Sequence, residues 1–495
     1  MPEHKVILLA NEGIFRGLAK QNMLFHQCLA ELIDNAIAAQ NPETKFRIDV
    51  ILSPVDGQDD LVDLYVADNG MGMNVSHLGN ALQLGESATV SSRLNEHGFG
   101  LKNALATLSG GNGTWKLWTR TEFVGPTISS EGPFKAEMTI EDDDVFPTED
   151  FLPTDAATVI KVRTRLSFVR TVQGRGAPTN NLAALRQWLI EHLGVLYRGY
   201  LEQDSNTFDH SGVIVVAIGK DRQQVPPVQV PLGNKETKYF EVEIAGKVEN
   251  LRLEVGSLDE VRRDVLVRGD SARFYYQGNI PTQGIDIRLG KRTIATRQIE
   301  TIWKTENGRS QLSRHNNYND FLGELFIPEL PRGILSTTNN KADFNLDDAE
   351  WSKIFEILNT DYRPVEIVRE KTEAGLREKW TNMLKATNTT DAVTNDHGVW
   401  PTSTKIDVYR KAPDGRVTIY ELKVGSAAPL HLYQLKMYWD GLVLGGEEPQ
   451  EAILLAEDFS TTMEEMANQM NTLEPPTSGG KPYNFMIERH RDKGL

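Results

Sequence analysis

The chain has 495 residues, of which 39% are hydrophobic and 25% charged, with a formal net charge of −16. That length exceeds what one hydrophobic core serves, so roughly two to four domains are expected, and the composition excludes disordered and fibrous classes. No apolar run approaches the roughly 18 residues that cross a bilayer, Val6–Ala10 is too short for a secretory core, and the single Cys28 excludes an internal disulfide framework. The expected setting is a reducing cytoplasm with no membrane association. An acidic total does not exclude nucleic acid, which needs only a local basic stripe. Two stretches qualify, Lys161, Arg163, Arg165, Arg170 and Arg175, then Arg262, Arg263, Arg268 and Arg273; solvated strand faces explain them equally well.

In chain order, residues 17–40 read as one helix, because Phe25, Leu29, Leu32 and Ala36 form one apolar stripe. Phe46–Leu52 and Leu61–Ala67 read as strands, followed by two glycine turns, Asp68-Asn-Gly70-Met-Gly72 and His97-Gly98-Phe-Gly100-Leu-Lys102. The second turn opens a helix near Leu101, and Trp115–Phe123, Phe134–Ile140 and Thr158–Thr164 return to strand patterns. Helix, strands, helix, strands predicts a layered α+β domain. Leu185, Leu189, Leu193 and Leu196 mark a helix across 180–200, and 213–345 mixes short strands with turns as a second domain. A charged, helix-rich connector follows over 347–386, then a polar loop at Asn388–Gly398. The last unit shows two strands, a helix and a strand at Ala452–Ala456, with a loose tail after Glu474.

Three elements of the first domain carry chemistry. Glu31 and Asn35 lie four apart on one helix face, where a carboxylate can orient and deprotonate water and an amide oxygen suits a hard Mg²⁺ ion. Asp68 ends a strand and can accept from an adenine amine, while Gly70 and Gly72 let backbone approach a ligand. Gly98 and Gly100 precede a helix whose first N–H groups face phosphates, with Lys102 just inside it. Each pattern alone is ordinary; their order and setting are not. Together they resemble the GHKL ATPase superfamily of ninety-kilodalton heat-shock chaperones, MutL, gyrase and MORC proteins, over roughly the first 170 residues.

The resemblance implies that Glu31 is the general base, Asn35 the Mg²⁺ ligand and Asp68 the adenine acceptor, with Gly70 and Gly72 shaping the pocket. It places Gly98, Gly100 and Lys102 against the phosphates of ATP, Thr158 behind the adenine, and Met73–Glu96 as a lid. Ala157 stands where the family often has glycine. Gly323–Pro331 with Thr338–Phe344 is similar to the transducer domain of MORC and MutL relatives, which makes Lys341 the lysine that reaches the γ-phosphate.

Near the C-terminus, Lys405-Ile-Asp407 and Val417-Thr-Ile-Tyr-Glu421-Leu-Lys423 flank a Pro413-Asp-Gly415 turn and read as a hairpin. Glu421 and Lys423 share one strand face, and Asp407 can join them; two carboxylates and a lysine suit Mg²⁺-dependent attack on a phosphodiester. Gln434 and Tyr438 follow one turn apart on a helix. These residues resemble the PD-(D/E)xK nucleases, with Glu366, Glu370, Glu373 or Glu378 as the upstream acid. His26, His77, His97, His315 and His431 show no metal spacing.

The expected fold class is α+β multidomain: a Bergerat-type α/β sandwich ATPase at 1–175, a ribosomal-protein-like transducer at 176–350, a helical connector at 351–398, and a restriction-endonuclease-like α/β domain at 399–495. The resemblances imply an ATPase using ATP and Mg²⁺ that dimerises through its ATPase domain, clamps double-stranded DNA and gates a nuclease. They also imply a place in prokaryotic anti-phage defence alongside other subunits. A non-cleaving DNA clamp or a protein chaperone are the rival expectations.

Overall fold

The computed structural model describes residues 13, 17, 20, 23–83, 94, 98–111, 113–122, 125–174, 177–202, 212–259, 274–305, 310–335, 337, 344, 348–364, 373–401, 404–475 and 481–495. The chain divides into two compact units, Met1–Arg363 and Pro364–Leu495.

In the first unit, helix α1 (Phe25–Ala38) starts after Leu24, whose extended backbone breaks any helix running from residue 17. The Gln27 side chain accepts from the Leu24 N–H at 2.8 Å, and Thr171 Oγ1 accepts from Phe25 at 2.9 Å, which fixes that start. Strands β1 (Arg47–Val55) and β2 (Gln58–Asp68) form the expected hairpin. After α2 (Val75–Leu82) and α3 (Gly100–Leu108) come β3 (Trp115–Thr119), β4 (Ile128–Glu131) and β5 (Thr158–Arg165). The strand expected at Phe134–Ile140 is not one. Pairing stops at Gly132-Pro133, and Phe134 turns inward to pack on Trp115 with ring centroids 4.7 Å apart.

The first sheet does not end near residue 175. Helix α4 (Leu182–Leu196) leads into β6 (Val213–Ile218), which pairs parallel to β1, and β7 (Asp221–Gln224) closes that edge. The seven-strand order is β4-β3-β5-β2-β1-β6-β7. The boundary expected between 175 and 176 therefore falls inside this layer. On one sheet face Ile48, Val50, Leu52, Leu64 and Val162 pack on Leu29, Leu32 and Ile33 of α1 and on Leu185 and Leu189 of α4. On the other face Ile51, Tyr65, Ala67 and Val159 meet Leu152 and Ala156. Alternate residues serve opposite faces, and each fully buried aliphatic contributes about 1.5–3 kcal/mol.

A second sheet follows, ordered β11-β10-β12-β9-β8. Its strands are β8 (Leu232–Ile244), β9 (Lys247–Leu258), β10 (Gly284–Leu289), β11 (Arg292–Gln298) and β12 (Phe321–Ile327). Ala245 and Gly246 both take positive φ, the twist a two-residue hairpin needs. The sheet is tied inward by Arg198, fully buried and paired with Asp286 and Glu324. Helix α5 (Ala349–Asp361), capped by Asp348, docks by Trp351, Ile354 and Leu358. Residues 351–363 of the expected connector thus belong to this unit.

The second unit holds α6 (Glu373–Thr387) and a sheet ordered β13-β14-β15-β16-β17. Its strands are β13 (Ala392–Gly398), β14 (Lys405–Lys411), β15 (Val417–Ser426), β16 (Glu451–Asp458) and β17 (Phe485–Arg489). The first three are antiparallel and the last three parallel, with α7 (Pro429–Leu444) and α8 (Thr461–Met470) as crossovers. Two expectations fail here. Asn388–Gly398 is partly an edge strand whose one buried side chain is Val393, so no alternation betrays it. The tail after Glu474 returns as β17, seated by Tyr483 and Phe485 against Trp439.

Trp303 lies fully buried, its indole N–H 3.1 Å from the carbonyls of Leu358 and Tyr362. Trp303→Ala is expected to cost about 3–5 kcal/mol in urea unfolding; a loss under about 1 kcal/mol contradicts the docking of α5 on the second sheet.

Candidate functional site

Glu31 sits in the middle of α1 with 1% exposure. Opposite it, α3 begins at Gly100, where a Cβ would collide with the Glu31 carboxylate. The close approach at Gly100 is thus to the end of a side chain and not to backbone, and a larger residue there would push the Glu31 carboxylate aside. Lys102, also buried, donates to the Gly98 carbonyl at 2.7 Å, and Gly98 takes φ +65°. Lys102 thus braces the turn before α3 with the same ammonium that was expected at the phosphates. Asn103 Oδ1 in the first turn of α3 is buried without a hydrogen-bond partner among the described residues, a polar atom that a ligand can satisfy.

The residues expected at the adenine gather at the end of β2. Asp68 Oδ1 accepts from the Gly70 N–H at 2.9 Å, and burial pushes its carboxyl up to about 7 although that N–H pulls the other way. A Cβ on Gly70 would come within 2.7 Å of the Ala39 carbonyl, and one on Gly72 would strike the Arg120 carbonyl. Thr158 opposes Asp68 across the β2–β5 ladder. Thr119, which the sequence did not single out, completes this wall: its Oγ1 lies 3.1 Å from Thr158 Oγ1 and accepts from the Met73 N–H at 2.9 Å. Two threonines on neighbouring strands, facing a strand-end aspartate, are the signal that would have found it. Asn35 is half-buried on α1, one turn beyond Glu31. Of the expected lid, Met73–Gln83 and Leu94 are described; His97 and Lys341 lie outside the described residues.

Residues 20–132 match the Histidine kinase-, DNA gyrase B-, and HSP90-like ATPase family. That stretch matches a GHKL-type ATPase domain. No curated protein sequence matches it. The ADP-complexed MutL ATPase domain of Aquifex aeolicus is similar at 12% identity, covering 66% of this chain and 94% of that one, with a TM-score of 0.29. The N-terminal domain of a DNA repair protein is similar at 13% identity, with 71% and 97% coverage and a TM-score of 0.34. A repair endonuclease from Pyrococcus abyssi is similar at 16% identity over 23% of this chain and 45% of that one, with a TM-score of 0.18.

The second unit gathers another cluster. Asp407 Oδ2 on β14 accepts from the Leu422 N–H at 2.9 Å, which fixes it beside β15. Lys423 Nζ lies 2.8 Å from Glu421 Oε1 and 3.2 Å from Glu373 of α6. Burial, then the nearby Asp407 charge, pushes Glu421 up to about 7, and burial also raises Asp407. Glu421 Oε2 is buried without a hydrogen-bond partner among the described residues. Burial raises the Tyr438 phenol, and the charges of Glu421 and Asp407 raise it further, which places α7 at this cluster. Arg377 Nε stands 3.6 Å from Asp407 Oδ1. Of the upstream acids, Glu373 reaches the cluster, Glu378 is exposed, and Glu366 and Glu370 lie outside the described residues. Among the described residues, no group of three or more His, Cys, Asp and Glu side chains is gathered to hold a metal; the oxygen donors here are a pair.

The basic stretches contribute less than their count suggests. Lys161 and Arg163 both pair with Asp63 on β2, at 3.3 and 2.7 Å, while 262, 263, 268 and 273 lie outside the described residues. Among the described residues no helix is long and apolar enough to cross a membrane.

An amine donates more strongly to the ionised Asp68 carboxylate than to the neutral acid. With the carboxyl near 7, the ionised fraction rises about tenfold between pH 6 and pH 8. Nucleotide affinity measured by calorimetry is expected to rise by that factor over the window relative to Asp68→Asn, in which phosphate titration alone remains; parallel pH profiles in the two proteins contradict the assignment.

Proposed function

We propose that this chain is an ATP-dependent DNA-processing protein in which ATP binding and hydrolysis drive N-terminal dimerisation and DNA clamping and gate a Mg²⁺-dependent nuclease. The supporting observation is the pairing of Asp407 and Glu421 beside Lys423 in the second unit of a chain whose residues 20–132 match the GHKL-type ATPase family. Prokaryotic anti-phage defence, with further subunits as partners, is the proposed setting.

Mg²⁺ bound by Asn35, and by Asp407 with Glu421, would neutralise phosphate oxygens and acidify water. In the first site Glu31 accepts the proton of the attacking water; its burial keeps the carboxylate from being screened, and Gly100 leaves room for it. Gly98 and the first N–H groups of α3 face the phosphates, and Lys341 is the proposed contact to the terminal phosphate. In the second site the Lys423 ammonium is held by Glu421 and Glu373, close enough to stabilise charge on a phosphodiester oxygen. Tyr438 adds a hydroxyl facing the same carboxylates.

One observation favours a clamp that does not cut: Arg377 and Lys423 already neutralise Asp407, Glu421 and Glu373. Closed circular plasmid incubated with the protein and Mg²⁺, with and without ATP, separates the two. ATP-stimulated cutting that disappears in Lys423→Ala is expected; ATP-dependent retention on intact circles supports the clamp, and neither, with client-stimulated hydrolysis, supports a chaperone. Glu31→Ala is expected to retain ATP binding while hydrolysis falls about 10²–10⁴-fold. Undiminished turnover in that variant removes Glu31 as the base.

A further inference from the structure

Helix α1 carries a second buried carboxylate that the ATP site does not use. Asp34, fully buried, sits three residues after Glu31 and one before Asn35. Its Oδ1 accepts from the Tyr197 hydroxyl at 2.7 Å and from Arg292 Nε at 3.0 Å. Arg292 opens β11 directly after the Gly290–Lys291 turn, so it belongs to the second sheet. Its guanidinium also donates to the Thr293 carbonyl at 2.6 Å and lies 4.6 Å from the centre of the Tyr197 ring. The Tyr197 hydroxyl stands 2.9 Å from the Ala30 carbonyl, one residue before Glu31. Burial opposes the charge on Arg292, but Asp34, Tyr197 and then Glu31 outweigh it and hold the guanidinium firmly cationic.

This arrangement is expensive to build unless both partners stay matched. Removing either member strands an opposite charge in a site closed to water. Any shift of α1 that accompanies nucleotide binding must therefore carry the β10–β11 hairpin with it or part the ion pair. The pair is also within Coulomb reach of Glu31, the group that must take a proton during hydrolysis.

We infer that Arg292 is a positioning residue that couples nucleotide occupancy at α1 to the second sheet through its buried pair with Asp34. The inference rests on the ATP site proposed above. It differs from a sensor that touches the terminal phosphate, because the cation here reads the helix and not the ligand.

Hydrogen exchange on the full chain, with and without AMP-PNP and Mg²⁺, tests it. In the wild-type chain the nucleotide is expected to slow exchange in α1 and in the β10–β11 hairpin. In Arg292→Gln the protection of α1 stays and that of the hairpin disappears, while kcat for ATP falls about tenfold and KM stays within about twofold. Asp34→Asn keeps the shape and the Tyr197 contact and is read in the same way should Arg292→Gln not fold. A pair that served stability alone would lower the melting temperature and leave both the hairpin response and kcat unchanged, which overturns the inference. So does a wild-type chain that protects α1 but never the hairpin. Absence of any nucleotide effect on wild-type α1 removes the ATP site itself, a distinct failure.

Discussion

Everything in the first unit is arranged around a carboxylate that has been taken out of water. Glu31 is buried in the centre of a helix, facing the start of α3 at a point where a Cβ would displace its carboxylate. Burying an acid is costly unless its surroundings answer the charge, so the structure around it follows as a consequence. The glycine at 100 admits the carboxylate, the Lys102 bond to Gly98 sets the turn that brings α3 close, and Asp34 with Arg292 balances charge one turn along. The sheet beneath supplies the apolar floor that holds α1 rigid while one of its faces stays polar. A site of this kind works because its dipoles and charges are placed before the ligand arrives.

The sequence pattern anticipated that Glu31, Asp68 and the glycine turns lie close together in one domain, and the structure places them in the middle of α1, at the end of β2 and at the start of α3. The glycines at 70, 72 and 100 each stand where an added Cβ would crowd a neighbouring atom, and Gly98 takes a positive φ. Thr119 was not legible, since a threonine in a strand is ordinary until the sheet sets it against Thr158. Arg292 was harder still: its partner lies 258 positions away, and no local pattern distinguishes a buried arginine from a solvated one. The same limit explains the misplaced boundaries. Val213–Ile218 is an apolar run that fits any sheet, and only its parallel pairing with β1 assigns it to the first. Val393 alone anchors β13, and Tyr483 with Phe485 seats β17; neither leaves a periodic trace.

In the second unit the sequence pattern anticipated a convergence that the topology achieves by a simple device. An antiparallel hairpin places Asp407 next to Glu421, and a helix on each side brings Glu373 and Tyr438 to the same end. Burial in a poorly hydrated place raises both acids, Glu421 to about 7, while the neighbouring cations pull the other way. Lys423 and Arg377 provide that balance from the protein itself. The two units thus share one feature: acidic groups are buried beside cationic side chains that answer their charge.

The most direct measurement is titration calorimetry of the purified full chain with AMP-PNP in the presence of Mg²⁺, run beside a Gly100→Ala variant that unfolds at the same temperature. A pocket built around Glu31 and Gly100 gives one saturable site per chain, clearly weakened by the added methyl group. Equal binding in both proteins, or no heat from either while they remain folded, contradicts the account at its base.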